Sequence, residues 1–217
     1  MFLTELFEDT HNTLVVYPGR FQPFHKGHKA VYDQLVKQYG RDSVFIATSN
    51  KVEQPKSPFS FSDKVQFMTL TGVPLDRIVE SAQPYKAEEL TKKYDPASVH
   101  LIFAVSEKDM AEDPRFKSWT KKDGSPAYLQ PFQNQAIQPM SKHAYIAYLP
   151  TVEFAGGITS ATEIRNRWPD LSEQQKVQLV NTLYPKTAQN KQLAANVIKL
   201  LNLAIQGNNQ GINESTI

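Results

Sequence analysis

The sequence predicts an α/β fold built on a doubly wound parallel sheet. Two observations carry that expectation. Short apolar runs rich in β-branched residues alternate with amphipathic segments from residue 13 to 106. Parallel strands need crossover helices, and right-handed crossovers place them on both faces of the sheet. In such sheets ligands bind beyond the carboxyl ends of the strands. Four segments should therefore converge there: 18–28, 48–64, 105–109 and 159–165.

Each element has its own signal. "TLVVYP", 13–18, is a buried strand closed by a proline. Ala30, Val31, Leu35, Val36 and Tyr39 recur at helical spacing after Gly27, and Gly40 stops that helix. "SVFIATS", 43–49, is a second strand, followed by the loop "KVEQPKSPFS" with its two prolines. Ser62 is placed as the N-cap of the next helix, with Val65, Met68 and Leu70 on one side. "RIVES" is a short strand, "AEELTKKY" a polar helix, and "VHLIFAVS", 99–106, the most apolar strand. Between 107 and 142 the pattern turns irregular, with a hairpin signal at Asp123-Gly124. "YIAYLP" and "VEF" supply a late strand. "SATEIRNRW" opens a helix capped by Ser160 or Thr159, with Glu163 in capping-box spacing from Ser160. Amphipathic helices follow near 172–183 and 188–205.

These elements divide the chain into a leader, 1–12, a main domain, 13–168, with the irregular insertion 107–142, a helical extension, 169–206, and a polar flexible tail, 207–217. The bulk composition narrows the chemistry. The 217 residues can bury a sizeable core, and the net charge of +2 gives no reason to expect a nucleic-acid partner. With no cysteine there is neither a disulfide scaffold nor a thiolate metal site. The acidic N-terminus lacks the features of a signal peptide, and no run of about 18 apolar residues suggests a membrane span. A cytoplasmic protein is the expectation.

The stretch "PGRFQPFHKGHKAV", 18–31, is the most informative in the chain. Gly19 permits a turn or close ligand approach, and Gly27 leaves room beside a helix start. His25 and His28 stand one turn apart, so both can address one ligand. Backbone N–H groups and two imidazole donors at a helix N-terminus suit a polyphosphate. The pair alone is also compatible with a metal fragment, but no further His, Cys or carboxylate cluster accompanies it.

"GRFQPFHKGH" resembles the G-x-F-x-P-x-H-x-G-H signature of the HxGH nucleotidyltransferases, a superfamily with a Rossmann-like fold. The wording "GRFQPFH" is most similar to the archaeal-type nicotinamide-mononucleotide adenylyltransferases, and many other members have Asp where this chain has Gln22. "TSATEIR", 159–165, resembles a second family motif, (I/V)-S-x-T-x-I-R, with Thr159 departing from the usual aliphatic residue. Physically, Ser160 and Thr162 hydroxyls at a helix start make an anion cradle, and Arg165 adds a planar cationic fork. Alone, the same residues read as an ordinary cap with a surface arginine. "SPFSFSDKVQFM" is similar to the archaeal-type "NPFTAGER", with Ser57 at the Asn position and Lys64 at the Arg position. A solvated first helical turn is an equal reading there. Asp109 stands where relatives carry "GND" or "GSD", without their glycine.

The resemblance implies transfer of a nucleotide from a triphosphate, ATP favoured, to a phosphate-bearing acceptor with release of pyrophosphate. His25, His28 and Arg165 are the implied catalytic residues. Gly19, Arg20, Phe21, Gly27, Lys64, Asp109, Ser160 and Thr162 are the implied nucleotide contacts. Mg²⁺ is the implied cofactor, carried mainly on phosphate oxygens. The implied acceptor is nicotinamide mononucleotide, giving NAD. Phosphopantetheine, flavin mononucleotide, a CTP-dependent acceptor or a non-catalytic nucleotide regulator remain open. The hairpin and Trp119 are candidates for covering the site or for a homo-oligomer contact.

Overall fold

Among the described residues six strands pair in one all-parallel sheet: β1 (Thr13–Pro18), β2 (Val44–Thr48), β3 (Ile78–Glu80), β4 (His100–Ser106), β5 (Leu129–Pro131) and β6 (Ala144–Leu149). Their order is β3-β2-β1-β4-β6-β5. The computed structural model describes residues 12–106, 119–133, 136–149 and 160–207. This is the doubly wound α/β fold that the alternation predicts. Every residue of β1 and β2 is buried, as expected for parallel strands covered on both faces. The order reverses between β1 and β4, so the chain leaves β1 at a topological switch point.

The α-helices among the described residues are α1 (Lys26–Tyr39), α2 (Phe61–Leu70), α3 (Glu88–Thr91), α4 (Ala161–Arg167), α5 (Glu173–Leu183) and α6 (Lys191–Gln206). The chain divides into two interleaved units. The first draws its described residues from 12–19, 30–49, 76–106, 119–133 and 136–149 and holds the whole sheet. Its apolar core joins Leu14, Val16, Phe45, Leu101, Phe103 and Ile146 of the strands to Leu90 of α3. The second unit draws on 20–29, 50–75 and 160–207. In it α6 buries Ala194, Val197, Ile198 and Leu201, the i, i+3, i+4, i+7 set of one helical face.

Several local expectations change. The polar helix expected over 87–94 is a single turn, Glu88–Thr91. The insertion contains a strand that sequence periodicity did not show: β5 has only three residues and ends in a proline, which an edge strand tolerates. The Asp123-Gly124 hairpin is present, closed by Ala127 N–H to Trp119 O at 2.8 Å and by Gly124 at φ 81. Trp119 itself packs on the sheet unit's apolar core. "VEF", the 1–12 leader up to residue 11 and the tail beyond 207 lie outside the described residues.

The N-cap of α2 is Ser60, not Ser62. The reason is reciprocity. Ser60 Oγ accepts from Asp63 N–H at 3.3 Å, and Asp63 Oδ2 accepts from Ser60 N–H at 2.9 Å. A cap at Ser62 would put Val65 at the third helical position, with no oxygen to return the bond. Ser60→Ala should therefore lower the unfolding free energy by about 1 kcal/mol in urea denaturation. Ser62→Ala should stay within about 0.5 kcal/mol of the parent. The reverse ranking would restore Ser62 as the cap.

Candidate active site

The imidazoles, the guanidiniums and their partners described below lie within the second unit. Its centre is the loop that follows β1. Phe21 takes the left-handed conformation there, φ 47, although it is bulky. Such a conformation costs of order 1–3 kcal/mol and persists only where its surroundings enforce it. Here they do. Phe21 and Phe24 are buried and meet edge to face at 5.3 Å, and both lie against the His28 ring at 5.1 and 5.3 Å.

The two imidazoles come together as the motif predicts, with ring centroids 3.9 Å apart. Backbone geometry decides their protonation. His25 Nδ1 accepts the Gly27 N–H at 3.1 Å, which caps the start of α1. His28 Nδ1 accepts the His25 N–H at 3.3 Å. A backbone N–H only donates, so both Nδ1 atoms present lone pairs and both Nε2 atoms carry the proton in the neutral ring. Burial, reinforced by His28 and Lys26, holds the His25 pKa well below the ordinary imidazole value. Burial pulls the His28 pKa down to about 3. The pair is thus two neutral N–H donors at neutral pH. The same bonds show that the Gly27 amide, counted from sequence among groups open to an anion, is engaged by His25.

Gln22 ties this loop to the "SPFS" segment. Its Oε1 accepts Phe59 N–H at 2.8 Å and its Nε2 donates to Phe59 O at 3.1 Å. The amide thus pairs with a backbone residue as a neighbouring strand would. Its own main-chain carbonyl accepts from Arg165 Nη1 at 2.5 Å. Arg165 Nη2 also donates to Thr162 Oγ1 at 3.3 Å. Arg165 is therefore no free surface cation. Burial, and then the nearby Arg20 guanidinium, lower its pKa from the usual arginine value. Two guanidiniums that disfavour each other mark a place where an anion is stabilising.

The remaining candidates fall as follows. Ser160 caps α4, accepting from Glu163 N–H at 3.2 Å, while the Glu163 carboxylate pairs with Arg167 at 3.1 Å. Ser160 and Thr162 each accept one bond and retain a hydroxyl hydrogen as a donor. Lys64 is fully buried in the first turn of α2, which removes the reading of a solvated turn. Gly19 belongs to the sheet unit, where its N–H donates to Ala47 O at 3.1 Å. Asp109 and Thr159 lie outside the described residues. Sequence reasoning missed two residues. Gln22 was visible only as a departure from Asp, and its amide role depends on a partner 37 residues away. Tyr184, whose hydroxyl donates to Phe24 O at 2.7 Å, sits in a segment without a motif.

A family model described as Cytidylyltransferase-like matches residues 16–167. A stretch of 68 residues is 31% identical to nicotinamide-nucleotide adenylyltransferase 1 of Sulfolobus acidocaldarius, covering 30% of this chain and 39% of that one. A stretch of 54 residues is 37% identical to the nicotinamide-nucleotide adenylyltransferase of Methanocorpusculum labreanum, covering 25% of this chain and 32% of that one. The matched stretches thus span less than half of these curated relatives. Among solved structures, Plasmodium falciparum nicotinic acid mononucleotide adenylyltransferase complexed with NaAD superposes with a TM-score of 0.51 at 14% identity, covering 89% of this chain and 98% of that one, a likeness of fold. With the family model matched from the end of β1 through α4, the chain belongs to the cytidylyltransferase-like family.

Proposed function

We propose that this chain is an adenylyltransferase that joins ATP to nicotinamide mononucleotide, forming NAD and pyrophosphate. The observation that carries the reading is the pair of neutral Nε2–H imidazoles in the same unit as the Arg20 and Arg165 guanidiniums. Neutral donors and fixed cations are what phosphoryl chemistry asks of a protein, because the transition state spreads negative charge over phosphate oxygens. The names of the curated relatives support the choice of acceptor.

In this reading a phosphate oxygen of nicotinamide mononucleotide attacks the α-phosphorus of ATP in line. The bond from that phosphorus to the bridging β-oxygen breaks, and pyrophosphate leaves with the bonding pair. His25 and His28 donate to the phosphate oxygens as their charge grows. Arg165 and Arg20 hold the β- and γ-phosphates, with the Ser160 and Thr162 hydroxyls and the Lys64 ammonium as further contacts. Phe21 and Gly27 shape the loop for close approach. No covalent enzyme intermediate is needed. Among the described residues no group of three metal-ligating side chains forms a protein cage. In this reading Mg²⁺ would come with the triphosphate, where it would neutralise phosphate charge. No helix among the described residues is long and apolar enough to cross a membrane.

The direct test is product identification. Incubation with Mg²⁺, ATP or CTP, and each of nicotinamide mononucleotide, phosphopantetheine and flavin mononucleotide should yield NAD from the first acceptor with ATP. Product only with another acceptor, or only with CTP, would replace the substrate assignment. No product with any pair would leave a nucleotide-binding regulator. His28→Ala should lower kcat roughly a hundredfold or more while changing ATP affinity little. Wild-type turnover in that variant would remove His28 from the chemistry.

The protonation states give a second prediction. In the unfolded chain the imidazoles take protons near 6.5. The folded protein holds His28 at about 3, so it binds fewer protons than the unfolded chain between those values. Stability must then fall as pH drops through that window. For His28 alone the loss between pH 7.5 and 5.0 is about 2 kcal/mol. Urea denaturation at the two pH values should show a smaller drop for His28→Ala than for the parent. Equal drops would show that the ring is not held neutral.

A further inference from the structure

Tyr184 follows α5 in the helical extension and is completely buried. Its ring stacks on Phe67 at 5.4 Å and 21°. Its hydroxyl donates to Phe24 O at 2.7 Å. That carbonyl and the His25 N–H are the two ends of one planar peptide unit. The N–H end donates to His28 Nδ1 at 3.3 Å. Phenol, peptide and imidazole therefore form one hydrogen-bonded chain. Holding the oxygen sets the direction of the N–H, because the plane turns as a whole. A bond accepted at the oxygen also polarises the peptide and strengthens donation from the nitrogen.

We propose that Tyr184 is a positioning residue for the reaction, holding His28 in its Nε2–H tautomer through the Phe24–His25 peptide. The inference rests on the role given to His28 above. It gives the helical extension a part in the chemistry: a residue 160 positions from Phe24 sets which nitrogen of a site imidazole can donate.

Tyr184→Phe removes the hydroxyl and keeps the ring that stacks on Phe67. In the full-length protein it should lower kcat about tenfold while the KM for ATP stays within about twofold, the pattern of a lost transition-state contact. Imidazole ¹⁵N spectra should show His28 as pure Nε2–H in the parent and as a tautomer mixture in Tyr184→Phe. Asn190→Ala, which removes the N-cap of α6, is the control for general destabilisation. It should lower Tm yet leave kcat and the His28 spectrum unchanged. The proposal is overturned by parental kcat and tautomer in Tyr184→Phe, or by an equal loss of kcat in Asn190→Ala. An Nδ1–H His28 in the parent overturns it even if Tyr184→Phe does not fold. Should the parent form no product with any acceptor, the proposed function fails, and the ¹⁵N comparison still decides the role of Tyr184.

Discussion

The Gln22 side chain pairs with both main-chain groups of Phe59, while the Gln22 carbonyl receives Arg165. One residue therefore joins three segments that lie far apart in the chain, the first loop, the proline loop before α2 and helix α4. The arrangement needs an amide. A carboxylate at the same place accepts from the Phe59 N–H but opposes the Phe59 carbonyl, and leaves a buried acceptor without its donor. Both bonds are buried, where an unmet polar group is costly. The site's cationic fork rests on this junction.

Around it both imidazole Nδ1 atoms and the Phe24–His25 peptide find partners within the chain. His25 Nδ1 caps α1, the His25 amide serves His28, and Tyr184 serves Phe24. The aromatic enclosure that makes Phe21 tolerable also keeps the imidazoles neutral. A neutral donor needs no proton from solvent and no rearrangement as charge develops, which is the sense in which such a site is preorganised. Positive charge comes from the guanidiniums and from Lys64 instead. Arg165 is held in place by Gln22 and Thr162, and its fork geometry is set by those two oxygens.

Much of this was legible in the residues. The buried β-branched runs located β1, β2 and β4, because parallel strands covered on both faces must be continuously apolar. Spacing put His25 and His28 one turn apart, while Arg165 stood out only through the motif resemblance, since alone its segment reads as an ordinary cap. What sequence did not show is what depends on contacts between distant positions. Ser62 and Ser60 are equally good caps in isolation, and only the position of Asp63 separates them. The role of Gln22 needs Phe59, and that of Tyr184 needs Phe24. β5 is too short for a period of two to register. The tautomers of the imidazoles follow from backbone donors, which no side-chain pattern encodes.

The junction at Gln22 is tested most directly by Gln22→Glu, which changes one donor group and keeps the shape. The measurement is ATP binding by calorimetry, set beside urea denaturation of the same protein. The account predicts a loss of about 1–3 kcal/mol in unfolding free energy, the cost of a buried carbonyl deprived of its donor, together with weaker ATP binding as the loop whose carbonyl holds Arg165 comes away from Phe59. A Gln22→Glu protein with parental stability and parental ATP affinity would contradict it.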